Sequence, residues 1–424
     1  MQESGDDSQN ISREIYPKVM QWIFFSVLVF IINGKFFYAS HGWEGHLRPL
    51  APVYLIVLKD IVALIFMIIF SFYSFFLDNK PIRADNCFIL GFIFILLIVS
   101  MLHILHQETL VWMHHFFRNS ILYSFFLIAS NRLSNLENIS NLISVLLFAS
   151  FLNNFSSHIQ FFISSDVLLD GVRSIGFTDN PNTAASILLM GFVISFVRMF
   201  YRKKLLYAIS SLSFLTALLL TQSMTYLALT ILFTLLFPIL KFRRNWIFLS
   251  LAFLSFVVLF SSVYLSGYDV VNKIVSRFEL LIFHPESFNS FSARMNNYFD
   301  AYQALNDDPL GCFFGVGFSE KLMTFDSTFL VIGVNFGILF LLIFIISNFV
   351  IFVISARRFI QGGENIEILF SLHLIYFLSG LVRNIFTRTP LNVISYVVVG
   401  MLMTLLYENE INAQNILKNK GVVP

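Results

Sequence analysis

Charge and cysteine are what this chain has least of. Of 424 residues, 12% are charged and two are cysteine, Cys87 and Cys312. No CxxC and no Cys/His cluster is present, so a zinc or redox centre is not expected, and no motif calls for a cofactor. The net charge of +2 and the lack of any long basic run exclude a nucleic-acid partner. The sequence has no internal repeat and no low-complexity segment. Its first seventeen residues are polar and mixed in charge, unlike a cleaved signal peptide.

What fills the chain instead is apolar. Hydrophobic residues make up 57%, Phe occurs 53 times, and the mean hydropathy is +0.78. That balance is foreign to soluble globular proteins. A helix needs about 20 mostly apolar residues to cross a bilayer. About twelve segments qualify: 19–33, 51–77, 86–106, 111–129, 139–163, 183–200, 205–221, 225–240, 246–266, 325–355, 366–383 and 391–407. The seventh and eighth are separated only by Gln222 to Met224, and together they are too long for one span. The expected fold is an all-α polytopic membrane protein. Its parts are a tail at 1–18, nine spans within 19–266, a polar loop at 267–324, three spans within 325–407 and a tail at 408–424.

Lys and Arg in the connections set the orientation. With a cytoplasmic N-terminus, the cytoplasmic segments hold 15 basic residues and the longer outer segments only eight. Both termini are then cytoplasmic, and the 267–324 loop lies outside. Cys87 and Cys312 fall on opposite sides and are not expected to pair.

The loop is the longest polar interruption in the chain. Ser290 and Ser292 read as N-caps of a helix bearing an apolar stripe of Met295, Phe299, Tyr302 and Leu305, with Arg294, Asn297 and Ala301 on another face. The stripe reads as packing on the membrane domain. Pro309 ends the helix. The loop holds four basic and seven acidic residues, so an anion there must be bound by specific arginines. Arg173, in the connection SSDVLLDGVRSIGFTDNPN, lies on the same side. So do Lys59, Asp60, His114 and Arg118 within spans, and Arg383 and Arg388 near the last turn. A charge in mid-membrane costs roughly 2.5–3.5 kcal/mol and so faces the protein interior or a wet cavity. The guanidinium fork suits phosphate oxygens. These arginines therefore point to an outward-facing cavity for a lipid-linked phosphate or pyrophosphate. Against this, Lys59 and Arg118 also read as partners of Asp60 or of lipid headgroups, and Arg383 and Arg388 as interfacial anchors. His373 reads as a packing residue, and Gly333 with Gly337 as a helix-packing GxxxG.

Two segments resemble the O-antigen ligase/polymerase superfamily of bacterial envelope glycosyltransferases. VRSIGFTDNPNTAA, 172–185, is similar to its Arg-x-x-Gly and Asn-Pro-Asn helix start. SFSARMNNYFDAYQALNDDPLGCFFGVGF, 290–318, is similar to its Ala-Arg helix followed by Pro-Leu and G-x-G. Asp326-Ser327 stands where ligases have His-Asn, and Met224 where they have an arginine. Both departures point to a polymerase of lipid-linked repeat units rather than a ligase, although the Arg-x10-Gly pairs of some polymerases are missing as well.

The resemblance implies a GT-C-like glycosyltransferase in the bacterial inner membrane, with its active site facing the periplasm. Its substrates would be undecaprenyl-pyrophosphate-linked donor and acceptor glycans, with a flippase and a chain-length regulator as partners and no metal. Such a site must stabilise a leaving pyrophosphate and assist deprotonation of a hydroxyl, for which Arg173 and Arg294 are the expected catalytic arginines and Asp326 the candidate general base, with Asp179 and Asp300 as rivals and an arginine cluster needing little base assistance as the alternative. Arg118, Arg383, Arg388, Asn297 and Tyr298 are the expected substrate contacts. A ligase of the same superfamily and a lipid-linked oligosaccharide flippase are the alternatives.

Overall fold

The structure is a computed structural model. It describes residues 4–33, 53–74, 118, 122, 124–135, 138–163, 173–178, 180–241, 276, 279–280, 283–284, 289–307, 309–315, 327–384 and 390–419. These residues are almost all helical, with no strand among them. The helices are α1 (Ser4–Asn33), α2 (Val53–Phe72), α3 (Phe125–Leu133), α4 (Ile139–Ile163), α5 (Pro181–Arg202) and α6 (Leu205–Thr221). They continue as α7 (Met224–Lys241), α8 (Asn289–Asp307), α9 (Pro309–Phe314), α10 (Thr328–Gln361), α11 (Glu364–Val382) and α12 (Leu391–Asn419). Residues 15–33 of α1, 139–160 of α4, and all of α5, α10 and α11 are long and apolar enough to cross a membrane. α6, α7 up to Pro238, and α12 up to Tyr407 are shorter apolar helices. The exposed side chains of α2 include Ile61, Leu64, Ile65, Ile68, Ile69 and Phe72, an outward apolar face that only lipid suits. The chain is an all-α membrane protein.

α5 is the central helix, buried almost all round and packed by α4, α6 and α11. Asn180 starts it: the Asn180 side chain accepts from the Asn182 N–H at 2.8 Å, and Pro181 occupies the first turn, where its missing N–H costs nothing. Lys203, at φ 47°, ends it in a left-handed cap. Gln222, at φ 49°, does the same for α6, so 205–241 is two helices as expected. Lipid is as apolar as the side chains, so close packing and interhelical hydrogen bonds hold such a bundle together. Phe24, Phe66 and Phe126 join α1, α2 and α3, with ring centroids 5.4–6.1 Å apart. Gly400 of α12 meets α3 where a Cβ would lie 2.0 Å from Ser130 Oγ, and Asn131 donates to Thr404 at 3.2 Å.

The single straight span expected over 325–355 is not what forms. The 34 residues of α10 would reach about 51 Å as a straight helix. Instead Gly337, at φ 88° and ψ 164°, breaks the helix and turns it back on itself. A Cβ on Gly333 would lie 3.1 Å from Leu341, and the Phe329 ring stands 6.1 Å from that of Phe344. The nine-residue arm 328–336 therefore runs back along 338–361. The longer arm alone covers about 36 Å, enough for a bilayer core. Gly333 and Gly337 are not a packing face on one helix. Gly337 is the turn, because an L side chain there would be strained and would drive a Cβ to 2.1 Å from the Phe313 carbonyl oxygen.

Other boundaries also differ from expectation. α1 begins at Ser4, so most of the expected N-terminal tail is helical, and α12 runs on to Asn419. α8 begins at Asn289, which places Ser290 and Ser292 inside the first turn rather than at the cap. Pro309 does end α8, and it opens α9 directly.

Candidate functional site

Arg202, at the end of α5, pairs with Glu364, at the start of α11. These two helices therefore run antiparallel, and the start of α5 shares the opposite end of the bundle with Arg383, which caps α11. Arg173, bonded to Asn182 at the start of α5, lies at that end as well.

Arg173 is locked between two helices there. Its Nε donates to the carbonyl of Thr221 at 2.8 Å and its Nη2 to Asn182 Oδ1 at 2.9 Å. Ser223 donates to the same Asn182 oxygen at 2.7 Å. The backbone after Arg173 is gripped from α4. Gln160 Oε1 accepts from Ser174 Oγ, Ile175 N and Gly176 N at 2.9–3.1 Å, while its Nε2 donates to the Gly176 carbonyl at 3.0 Å. Asn153 Oδ1 accepts from Phe177 N at 3.1 Å. Gly176 takes φ 55°, and a Cβ there would come within 2.9 Å of Asn153. The Arg-x-x-Gly and Asn-Pro-Asn elements are thus one hydrogen-bonded knot. In it, one edge of the Arg173 guanidinium serves structure.

Arg383 lies where the short arm of α10 begins. Its carbonyl accepts from Thr328 N at 3.1 Å and Thr328 Oγ1 at 2.7 Å, and the Phe329 ring stands 5.5 Å from Phe377. This ties the last turn of α11 to the start of the doubled-back arm. Beneath the junction, Thr328, Phe329, Phe344, His373, Tyr376 and Tyr396 help line a cavity of about 50 Å³. Substrate pockets run to roughly 300–1,000 Å³, so this space is too small for a sugar. His373 is buried against it, with its ring hydrogen-bonded to the Asn348 backbone.

α8 docks on the same arm. Ala301, Ala304 and Leu305 pack against Leu330, Val331 and Val334. α9 then closes on the turn, where a Cβ on Gly315 would lie 2.1 Å from the Asn335 carbonyl oxygen. The docked face is the one that carries Arg294 and Asn297, since Arg294 and Ala301 are seven residues, two turns, apart. Arg294 is half-buried. Its Nε is shut off from solvent and has no hydrogen-bond acceptor among the described residues. The aromatic stripe does not pack on the membrane domain as expected: Met295, Phe299 and Tyr302 are 53–64% exposed, and Tyr298 is exposed beside them. Leu305 belongs to the docked face, where alanines allow close approach that rings would prevent.

Arg118 forms an ion pair with Asp60 at 3.6 Å, both side chains being largely buried. Asp300 is half-buried on α8. Asp179, Asp326 and Arg388 lie outside the described residues, as do His114 and Cys87. Cys312 is a free thiol.

Sequence reasoning passed over two groups. One is the polar stripe Asn153, Ser157 and Gln160 on α4, whose spacing marks one helix face in an otherwise apolar span. The other lies at the far end of the bundle. Glu364 accepts from Arg198 Nε at 3.1 Å and pairs with Arg202 Nη2 at 2.8 Å. Arg198 also donates to Ser144 Oγ at 3.0 Å, and the Tyr201 hydroxyl bonds to Glu367. Arg198 and Glu367 are fully enclosed. The net charge of these connections alone gave no hint of an ionic knot joining three helices.

The chain matches no model of a known protein family and no curated protein.

Proposed function

We propose that the protein is a polymerase of lipid-linked polysaccharide repeat units, of the O-antigen ligase/polymerase type. In this reading it is a GT-C-like enzyme of about twelve spans in the bacterial inner membrane, with both termini cytoplasmic and Arg173, Arg294 and Arg383 facing the periplasm. The terminal sugar hydroxyl of an undecaprenyl-pyrophosphate-linked acceptor attacks the anomeric carbon of the growing donor glycan. The bond from that carbon to the donor's pyrophosphate breaks, and undecaprenyl pyrophosphate leaves with inversion. The hydroxyl proton passes to a carboxylate, for which Asp326 is our assignment. Arginines neutralise the leaving pyrophosphate, where stabilisation of developing charge contributes most.

The observation that carries this reading is Arg294. A guanidinium with its Nε enclosed, facing the membrane domain with no described acid beside it, is suited to an incoming anion. The test is purified protein in liposomes given lipid-linked single repeats and no energy source. A ladder of polymer is expected from the wild type and its loss from both Arg294→Ala and Arg294→Lys, because lysine lacks the fork. An unchanged ladder in the variants refutes the site, and no ladder from the wild type refutes the activity.

The break in α10 favours a second reading. Discontinuous helices are common where transporters bind substrate. A flippase for lipid-linked oligosaccharide would move its substrate across the liposome without lengthening it, so the same reconstitution separates the two.

A further inference from the structure

α8 has three faces, and each matches a different surrounding. The first, with Arg294, Asn297, Ala301, Ala304 and Leu305, lies against the short arm of α10. The second carries Ser292, Asn296, Asp300 and Gln303, residues suited to water. The third carries Met295, Tyr298, Phe299 and Tyr302, all exposed. Stepping 100° per residue, the three are set about a third of a turn apart. A helix in water has no use for a bare face of three rings and a thioether beside a separate polar one.

The chain beyond α8 leads to a surface of known kind. α9 follows α8 directly and exposes Phe313 and Phe314. The Phe313 carbonyl touches Gly337, where the long arm of α10 begins. From there Ile338, Leu339, Leu342, Ile346 and Phe349 are exposed along an otherwise apolar helix, a face that only lipid tails suit. α9, which follows α8, thus carries its exposed rings to the turn at which the lipid-facing strip of α10 begins.

We infer that α8 is an interfacial helix, lying in the membrane surface with Met295, Tyr298, Phe299 and Tyr302 among the lipids of the adjacent leaflet. Tyr and Phe are at home at that depth, and an amphipathic helix inserts its apolar side there while its polar side stays wet. The loop is then part of the membrane contact rather than a water-borne appendage. The inference stands apart from the polymerase reading, since it uses only the faces of the helix and the strip to which the chain leads.

Spin labels test it on the full chain. In a background with Cys87→Ser and Cys312→Ser, single cysteines replace Phe299, Tyr302, Asn296 and Gln303, all exposed positions. The labelled protein is reconstituted in liposomes of phosphatidylethanolamine and phosphatidylglycerol. Collision with oxygen, which concentrates in lipid, is compared with collision with a water-soluble nickel chelate. Labels at 299 and 302 are expected to favour oxygen several-fold, and those at 296 and 303 the nickel chelate. Nickel-dominated collisions at all four sites overturn the inference. So does shielding of 299 and 302 from both reagents, which would mean that protein covers them. A control at Ile346→Cys, on the long arm of α10, reports oxygen-dominated collision if reconstitution is sound.

Discussion

Phe329 and Phe344 meet edge to face with ring centroids 6.1 Å apart, although fifteen residues separate them in one helix assignment. A straight helix would hold them about 22 Å apart along its axis. Three features at this end of the bundle are arranged around that fold-back: the cap on α11, the docking of α8 and the closure by α9.

Gly337→Ala should undo it. The substitution forces a left-handed φ on a residue with a Cβ and drives that Cβ into the Phe313 backbone. The strain alone is about 1–2 kcal/mol, and the clash adds to it. Gly333→Ala meets only the flexible end of Leu341 at 3.1 Å and should cost far less. Thermal unfolding of the purified variants in detergent should rank them wild type, Gly333→Ala, Gly337→Ala, with the last well below the others. Equal midpoints for the two alanine variants would refute the turn.

Arg173 and Arg294 should separate in a stability measurement even if both abolish activity. Arg173→Lys cannot span Thr221 and Asn182 together, and charge-assisted hydrogen bonds are worth about 1.5–3 kcal/mol each. Its unfolding midpoint should fall. Arg294→Lys breaks no bond to a described residue and should leave the midpoint close to wild type. The reverse order would exchange the roles assigned to them.

The described membrane helices were legible in the sequence because hydropathy marks any segment that must lie in lipid, and the split of 205–241 followed from length alone; the spans expected over 86–106 and 246–266 lie outside the described residues. The Arg173 motif was legible as a motif, but its purpose was not. Its partners are Asn182 and a backbone carbonyl, and neither has a charge to announce the pairing. The fold-back was hidden because a hairpin of apolar helices has the composition of one long span. Only Gly337 marks it, and glycine in a membrane helix has several other uses. On α8, Met295, Phe299 and Tyr302 do share a face, but Leu305 belongs to the docked one, and periodicity does not tell what a face meets.

Gln160→Leu should loosen the 173–178 turn. It leaves the Ile175 and Gly176 amides and the Ser174 hydroxyl without their acceptor in a buried place, at about 1–3 kcal/mol for each unsatisfied group. Hydrogen exchange should accelerate in peptides covering these residues. Gln160→Glu keeps an oxygen for the three donors but turns a second oxygen toward the Gly176 carbonyl, which repels it unless the carboxyl is protonated, so its exchange should lie between wild type and Leu.

At the far end of the bundle, Glu364→Gln should cost more than Arg202→Gln. Removing the carboxylate leaves Arg198, whose side chain is 2% exposed, without its counter-charge, and breaking an enclosed pair of this kind costs about 3–5 kcal/mol. Arg202 is 36% exposed, and water replaces much of what its pairing supplies. Unfolding midpoints of the two single variants decide the matter, and equal losses would show that Arg198 does not depend on Glu364.

The bond between Thr328 and the Arg383 carbonyl has a consequence for how the protein is made. The two residues are 55 positions apart, with the whole of α11 between them. A nascent chain that has delivered α10 to the bilayer does not yet possess the group that anchors the short arm. The arm therefore reaches its final place only after α11 has entered, and the loop helix, which rests on that arm, later still. This end of the molecule is completed from its C-terminal side backwards, in the opposite order to synthesis.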